Sequence, residues 1–196
     1  MNATSCQYDS EEFLQNKKRV LSQEIEKIKK VPAEQKLVFI TGLSGAGKSH
    51  YISENYSENY YVADVDLIKK EFPSYETSGK RLNTLHEVSK LLLHGSILPT
   101  ALISGKNVVM PTTGLSDFVK RIAIPAKNLG YTVEVRHIEV SKEKAMQNVV
   151  ERFERDGRFV DPYFVLKRAQ KMQEQPQIYE KAKYVDNVVM VDQENL

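Results

Sequence analysis

KLVFITGLSGAGKS, running from Lys36 to Ser49, passes from an apolar strand signal straight into a glycine-rich turn, a lysine and a serine. Its second part, Gly42-Leu43-Ser44-Gly45-Ala46-Gly47-Lys48-Ser49, satisfies the spacing G-x-x-x-x-G-K-[S/T]. A strand before and a helix after are the context in which that spacing cradles a phosphate. Gly42, Gly45 and Gly47 let the backbone wrap tightly, so that successive N–H groups point at phosphate oxygens. The helix that follows adds the partial positive charge of its N-terminus. In such a loop Lys48 reaches the β- and γ-phosphates and the Ser49 hydroxyl ligates Mg²⁺. The plainer alternative is a glycine-rich turn that only ends a strand. The flanking elements favour binding of a nucleoside triphosphate.

Outward from this loop, strand and helix signals alternate. Further strands are expected at YYVA (Tyr60 to Ala63), NVVM (Asn107 to Met110), YTVEVRHIEV (Tyr131 to Val140) and NVVMV (Asn187 to Val191). Between them lie a helical region from Leu82 to Ser104 interrupted at Gly95 and Pro99, and a helix LSDFVKRIAIPAKNLG in which Pro125 is a kink or early stop. Ser141 caps the helix KEKAMQNVVERFER, and Asp161-Pro162 opens another. The pattern predicts an α/β domain with a five-stranded, mainly parallel sheet flanked by helices. An additional amphipathic helix is expected from about Ser10 to Lys30, with Phe13, Val20, Leu21, Ile25 and Ile28 near a 3.6-residue period. It reads as a helix packed on the domain's flank, with a partner-binding element as the alternative. The division expected is a helical extension over 1–33 and the α/β domain that carries the cradle over 34–196.

Asp64 and Asp66 stand one residue apart where the second strand ends. In an open parallel sheet, ligands bind beyond the carboxyl ends of the strands, so both acids emerge on the cradle's edge. Phosphoryl transfer needs a group to take the proton of the attacking hydroxyl, and an ionised aspartate can do so. Asp66 is the candidate base because it lies further past the strand end. Asp64 is the candidate contributor to the magnesium shell. The bland reading makes Asp66 the N-cap of the helix LIKKEF, worth about 1 kcal/mol, and Asp64 a surface acid.

Four arginines, Arg152, Arg155, Arg158 and Arg168, fall in QNVVERFERDGRFVDPYFVLKR. Arginines near a triphosphate neutralise charge that develops as the phosphoryl group moves, and a break at Asp156-Gly157 could let the segment close. A solvated face paired with Glu151 and Glu154 is the alternative. Thr112 and Thr113 follow the third strand and could bind an acceptor or cap the next helix. Glu87, in a polar patch with His86 and Ser89, is a candidate acceptor-binding group or an ordinary exposed residue.

The totals narrow the class. A net charge of +2 over 196 residues argues against nucleic acid and against a membrane surface. The single cysteine, Cys6, excludes a disulfide framework. The opening residues carry no secretory signal and no apolar run reaches the roughly 18 residues of a membrane span; a cytoplasmic protein is expected. No histidines pair at zinc spacing.

With these residues in place, the chain resembles the zeta toxin family of P-loop kinases from about Lys36 to Arg168. The specific matches are ADVDLIKKEFP, which looks like the family's motif of two acids, a basic residue and a proline, and VERFERDGRFVDP, which resembles its arginine-bearing segment. The resemblance implies a fold like the nucleoside monophosphate kinases, with Asp66 as base, Lys69 as the basic residue beside the acceptor, and Arg152 and Arg158 on the triphosphate. It also implies ATP-dependent phosphorylation of a nucleotide sugar, UDP-N-acetylglucosamine in the best-known members, and a protein antitoxin that blocks the nucleotide site. Two departures fall near the acceptor. Pro111 and Leu115 replace an acid and an arginine, and Phe72 replaces a histidine. A kinase of polynucleotide ends or of another metabolite would share the donor-side residues, and a non-catalytic nucleotide-binding regulatory module would share the cradle.

Overall fold

The computed structural model describes residues 11–75, 82–114, 117–156 and 160–192. Strands β1 (Lys36–Thr41), β2 (Tyr61–Val62), β3 (Val108–Thr112), β4 (Thr132–Glu139) and β5 (Asn187–Asp192) form one sheet. Their order is β2-β3-β1-β4-β5, and every pairing is parallel. β1 takes the centre because it is apolar on both sides, as a strand covered on both faces must be. Leu37 and Phe39 enter one core cluster, Val38 and Ile40 the other.

The first face is covered by α1 (Glu11–Lys30), α3 (Val65–Lys70), α4 (Leu82–Leu92), α5 (Leu98–Ile103) and α6 (Phe118–Asn128). The second is covered by α2 (Lys48–Asn55), α7 (Lys142–Asp156) and most of α8 (Pro162–Glu180). Val20 and Ile28 anchor α1 in the first core, which is the flank packing expected of an amphipathic helix. Among the described residues no helix is long and apolar enough to cross a membrane.

Three local expectations change. The helical region after Leu82 is not interrupted at Gly95 or Pro99. α4 runs into a π-helical turn, Leu93–Ile97, and then into α5, with Pro99 in the first turn of α5. The wider turn shifts the hydrogen-bond register just before Pro99, so the proline, which has no N–H to donate, is accommodated where α5 begins. Of the two readings of Pro125, a kink or an early stop, the stop is excluded: α6 continues to Asn128, and the Leu129 N–H closes onto the Pro125 and Ala126 carbonyls at 3.1 and 3.0 Å. β2 is two residues long rather than four, because the chain leaves β3 at Asp64 after one last bond from Ala63 N–H to Val109 O, 2.8 Å.

Candidate active site

At the carboxyl edge of the sheet, Thr41 of β1 is in register with Thr112 of β3 and His137 of β4, and the cradle opens directly beyond. Gly42, Gly45 and Gly47 all have positive φ, at 147°, 89° and 86°. A Cβ on Gly42 would lie 2.9 Å from the Ile138 carbonyl oxygen, and one on Gly45 would collide with the Ala145 carbonyl oxygen. No side chain fits at either place, and the loop is shaped by its backbone, as a phosphate cradle requires. Lys48 curls back to donate from Nζ to the carbonyls of Gly42 and Leu43, at 2.8 and 2.7 Å. Asn148 of α7 donates to the Gly45 carbonyl at 2.8 Å and ties the loop to that helix.

Beneath the loop the Thr41 hydroxyl meets His137 Nδ1 at 2.9 Å. His137 is buried, and burial pushes its imidazole down to about 4, with the Lys48 charge acting in the same direction. The ring is therefore neutral at physiological pH and places no second cation beside Lys48.

The two acids divide their work differently from the cap reading of the sequence. Asp64, not Asp66, is the N-cap of α3, its Oδ1 accepting from Asp66 N–H at 2.8 Å. The reason is where the strand ends. The backbone turns at Asp64, so the helix starts at Val65 and Asp66 falls inside its first turn. The Asp66 side chain instead pairs with Lys69 at 2.6 Å, one helical turn on. Both acids line a cleft of about 740 Å³ together with Ser44 to Ser49, Lys70, Thr112 and Arg152.

Arg152 and Arg155 also line this cleft, Arg152 half-buried and Arg155 exposed. Arg158, Leu115 and the Gly157 of the expected break lie outside the described residues. Thr112 accepts from Gly114 N–H through Oγ1 at 3.1 Å, and Thr113 accepts from the Arg168 guanidinium at 3.2 Å. Arg168 also lies over the Phe164 ring at 3.5 Å. Pro111 lines the cleft, while Phe72 is buried and stacks on Phe13 with ring centroids 5.8 Å apart. Glu87 is exposed on α4, 3.6 Å from Lys90, and is not among the residues lining the cleft.

A second cleft of about 1110 Å³ lies on the other side of the loop, bordered by Gly47, His50, His137, Lys142, Gln173 and Asp192 among others. Asn148 and His137 escape sequence reasoning that treats amides as filler and histidines only as metal ligands. The signal for Asn148 was its position four residues before Arg152, which puts both on one helix face.

The strand order, with this cradle after the central strand, defines the fold of a P-loop kinase. The profile of the Zeta toxin family matches residues 21–196, and the chain belongs to that family. It superposes on a structure of the PezAT chromosomal toxin–antitoxin system of the human pathogen Streptococcus pneumoniae with a TM-score of 0.75 at 17% identity, covering 93% of this chain and 78% of that one. A structure of AvrRxo1-ORF1:-ORF2 with ATP is similar at a TM-score of 0.68 and 16% identity, covering 91% of this chain and 62% of the other, which this chain therefore does not span. A chain of the Pnkp1/Rnl/Hen1 RNA repair complex gives a TM-score of 0.54 at 17% identity, with 76% and 47% covered. None of the curated proteins compared matches in sequence.

Proposed function

We propose that this chain is an ATP- and Mg²⁺-dependent kinase that transfers the γ-phosphoryl group to a hydroxyl of a small molecule, with a nucleotide sugar such as UDP-N-acetylglucosamine as the leading acceptor. The observation that carries it is a single cleft lined by the cradle, both aspartates and Arg152. A loop whose glycines leave no room for a Cβ fits a triphosphate, with the backbone N–H groups and Lys48 on its oxygens. The γ end then faces the acidic cleft, and the nucleoside extends towards the second cleft beyond Gly47.

Ser49 and Asp64 offer oxygen ligands of the kind magnesium prefers, with the phosphates completing the set. Magnesium bound there would neutralise charge on the β- and γ-phosphate oxygens. Asp66 accepts the hydroxyl proton as the acceptor oxygen bonds to the γ-phosphorus and the bridging oxygen departs with ADP. The ion pair to Lys69 holds the carboxylate in place for this. Arg152, with Arg158, balances charge on the moving group. Thr112 and Thr113 face the acceptor, with Pro111 reshaping that end relative to other zeta toxins. A protein inhibitor of the antitoxin kind is part of the proposal, since a similar structure comes from a toxin–antitoxin system.

The test is ADP release from ATP and Mg²⁺, with and without UDP-N-acetylglucosamine, for the wild type and Asp66→Asn. Acceptor-stimulated release lost in the variant supports kinase and acceptor together. ATP binding without stimulation moves the search to other metabolites and oligonucleotide ends. Binding with no acceptor of any class leaves a regulatory nucleotide module as the reading.

A further inference from the structure

The segment that carries Asp64 and Asp66 has little hold on the sheet. β2 contributes two residues and pairs on one side only, with β3, and α3 is six residues long. A segment with so few backbone bonds to its neighbours opens readily unless side chains restrain it. Beside the apolar hold of Ile68, buried where α3 packs on α4, polar restraints come from α1, and they sit on both sides of the acids.

On the upstream side, Glu24 is 3% exposed and takes a hydrogen bond from the Tyr61 hydroxyl at 2.5 Å. Tyr61 is itself buried and begins β2 three residues before Asp64. Downstream, Lys27 bridges Glu24 at 2.6 Å and Glu71 at 2.9 Å. Arg19 donates to the Glu71 carbonyl at 2.7 Å, and Phe13 stacks on Phe72. Glu71 and Phe72 follow α3 directly. The acids are thus gripped at residues 61 and 71–72 by one helix.

A carboxylate in a core is expensive unless it is paired and hydrogen-bonded, and an apolar residue of similar size often gives equal stability. Glu24 lies between Val20 and Ile28 on the buried stripe of α1, where Leu would pack. What a carboxylate adds there is direction, because it accepts from Tyr61 and Lys27 at once.

We propose that Glu24 is a positioning residue: with Tyr61 and Lys27 it clamps residues 61–72 so that the Asp66 carboxylate faces the phosphate cradle. The proposal rests on the reading of Asp66 as the base. The clamp makes α1 part of the catalytic apparatus although no α1 side chain lines the cleft beside the cradle.

The test uses the full chain with Tyr61→Phe, which keeps the ring and loses the hydroxyl, and Glu24→Gln, which keeps an acceptor for Tyr61 and loses the ion pair. Amide hydrogen exchange, which needs no acceptor, is read alongside ADP release with UDP-N-acetylglucosamine. Tyr61→Phe is expected to speed exchange at residues 61–72 about tenfold. Exchange at 36–49 and the KM for ATP stay within about twofold. kcat falls about tenfold, and Glu24→Gln gives a smaller change of the same pattern. Unchanged exchange at 61–72 would overturn the clamp. So would faster exchange spread equally through β1, β3 and α6, which marks ordinary core support. If Asp66→Asn keeps wild-type turnover, the base assignment beneath the proposal is wrong. That failure is distinguishable, since the clamp variants would then loosen residues 61–72 and leave turnover alone.

Discussion

The two faces of the sheet are built to different tightness. On the face that carries the acids, Phe39, Phe72, Leu85, Leu93 and Ile97 are almost completely buried, with α1 and the helices from α3 to α6 sealing them in. On the face that carries the arginines, α2, α7 and α8 bury a smaller set of apolar residues, among them Tyr51, Ala145, Val149, Val165 and Met172. Each side chain fully buried adds roughly 1.5–3 kcal/mol, so the acidic side is the more firmly held. The division suits the chemistry. A base must meet a hydroxyl proton within hydrogen-bond distance, whereas an arginine that neutralises developing charge can be delivered by an element that closes late.

Several substitutions test that contrast. The largest effect is expected from Gly45→Ala, which sets a Cβ against the Ala145 carbonyl where α7 meets the loop. ATP binding measured by calorimetry should fall by about a thousandfold or more, because the loop and the arginine helix can no longer pack together. Next, Asp66→Asn should lower kcat by about 10²–10⁴ and leave ATP affinity within a few-fold, as a fixed base demands. Arg152→Gln should cost about 10²–10³ in kcat; a matching loss in ground-state ATP binding would mean that the arginine face is as preformed as the acidic one.

Stability addresses the same comparison without turnover. Leu85→Ala should destabilise the chain by about 2–5 kcal/mol, while Leu166→Ala should lie within about 1 kcal/mol, both read from denaturant midpoints. Equal costs would break the contrast between the faces. A pH dependence is expected between the faces as well, at His137. Its folded value of about 4 lies below the ordinary 6.5, so the unfolded chain binds the extra proton between those values. Stability from this group is complete above about 6.5 and declines as pH falls towards 4, by at most about 3 kcal/mol. His137→Gln should flatten that limb of the stability curve.

Features set by local spacing were legible in the sequence. KLVFIT followed by the glycines places β1 and its loop because each requirement, a buried strand, positive φ and a helix start, is met by adjacent residues. Asp161-Pro162 is similar: Asp161 accepts from Tyr163 N–H at 2.9 Å and caps α8 as expected. Features settled by distant parts of the chain were harder to see. Asp64 and Asp66 have equal capping chemistry, and only the point where β2 parts from β3 chooses between them. The bond from Asn148 to Gly45 spans 103 residues, and the π-helical turn at Gly95 depends on what α4 and α5 pack against. Glu24 does carry a local signal: Val20, Glu24 and Ile28 are four apart, which sets a glutamate on an apolar stripe, but its partner Tyr61 is distant in the chain.

The strand order also sets when the cradle can be completed during synthesis. β1 is made early, yet its two neighbours are β3 and β4, and the second of these ends at Glu139. Until that residue has left the ribosome the loop after β1 lacks the sheet on one side, along with the Ile138 and Ala145 carbonyls that shape its glycines. Long-range parallel pairing of this kind forms slowly. The nascent chain therefore completes the cradle only after Ala145 has been translated, and the acid-bearing segment waits until then.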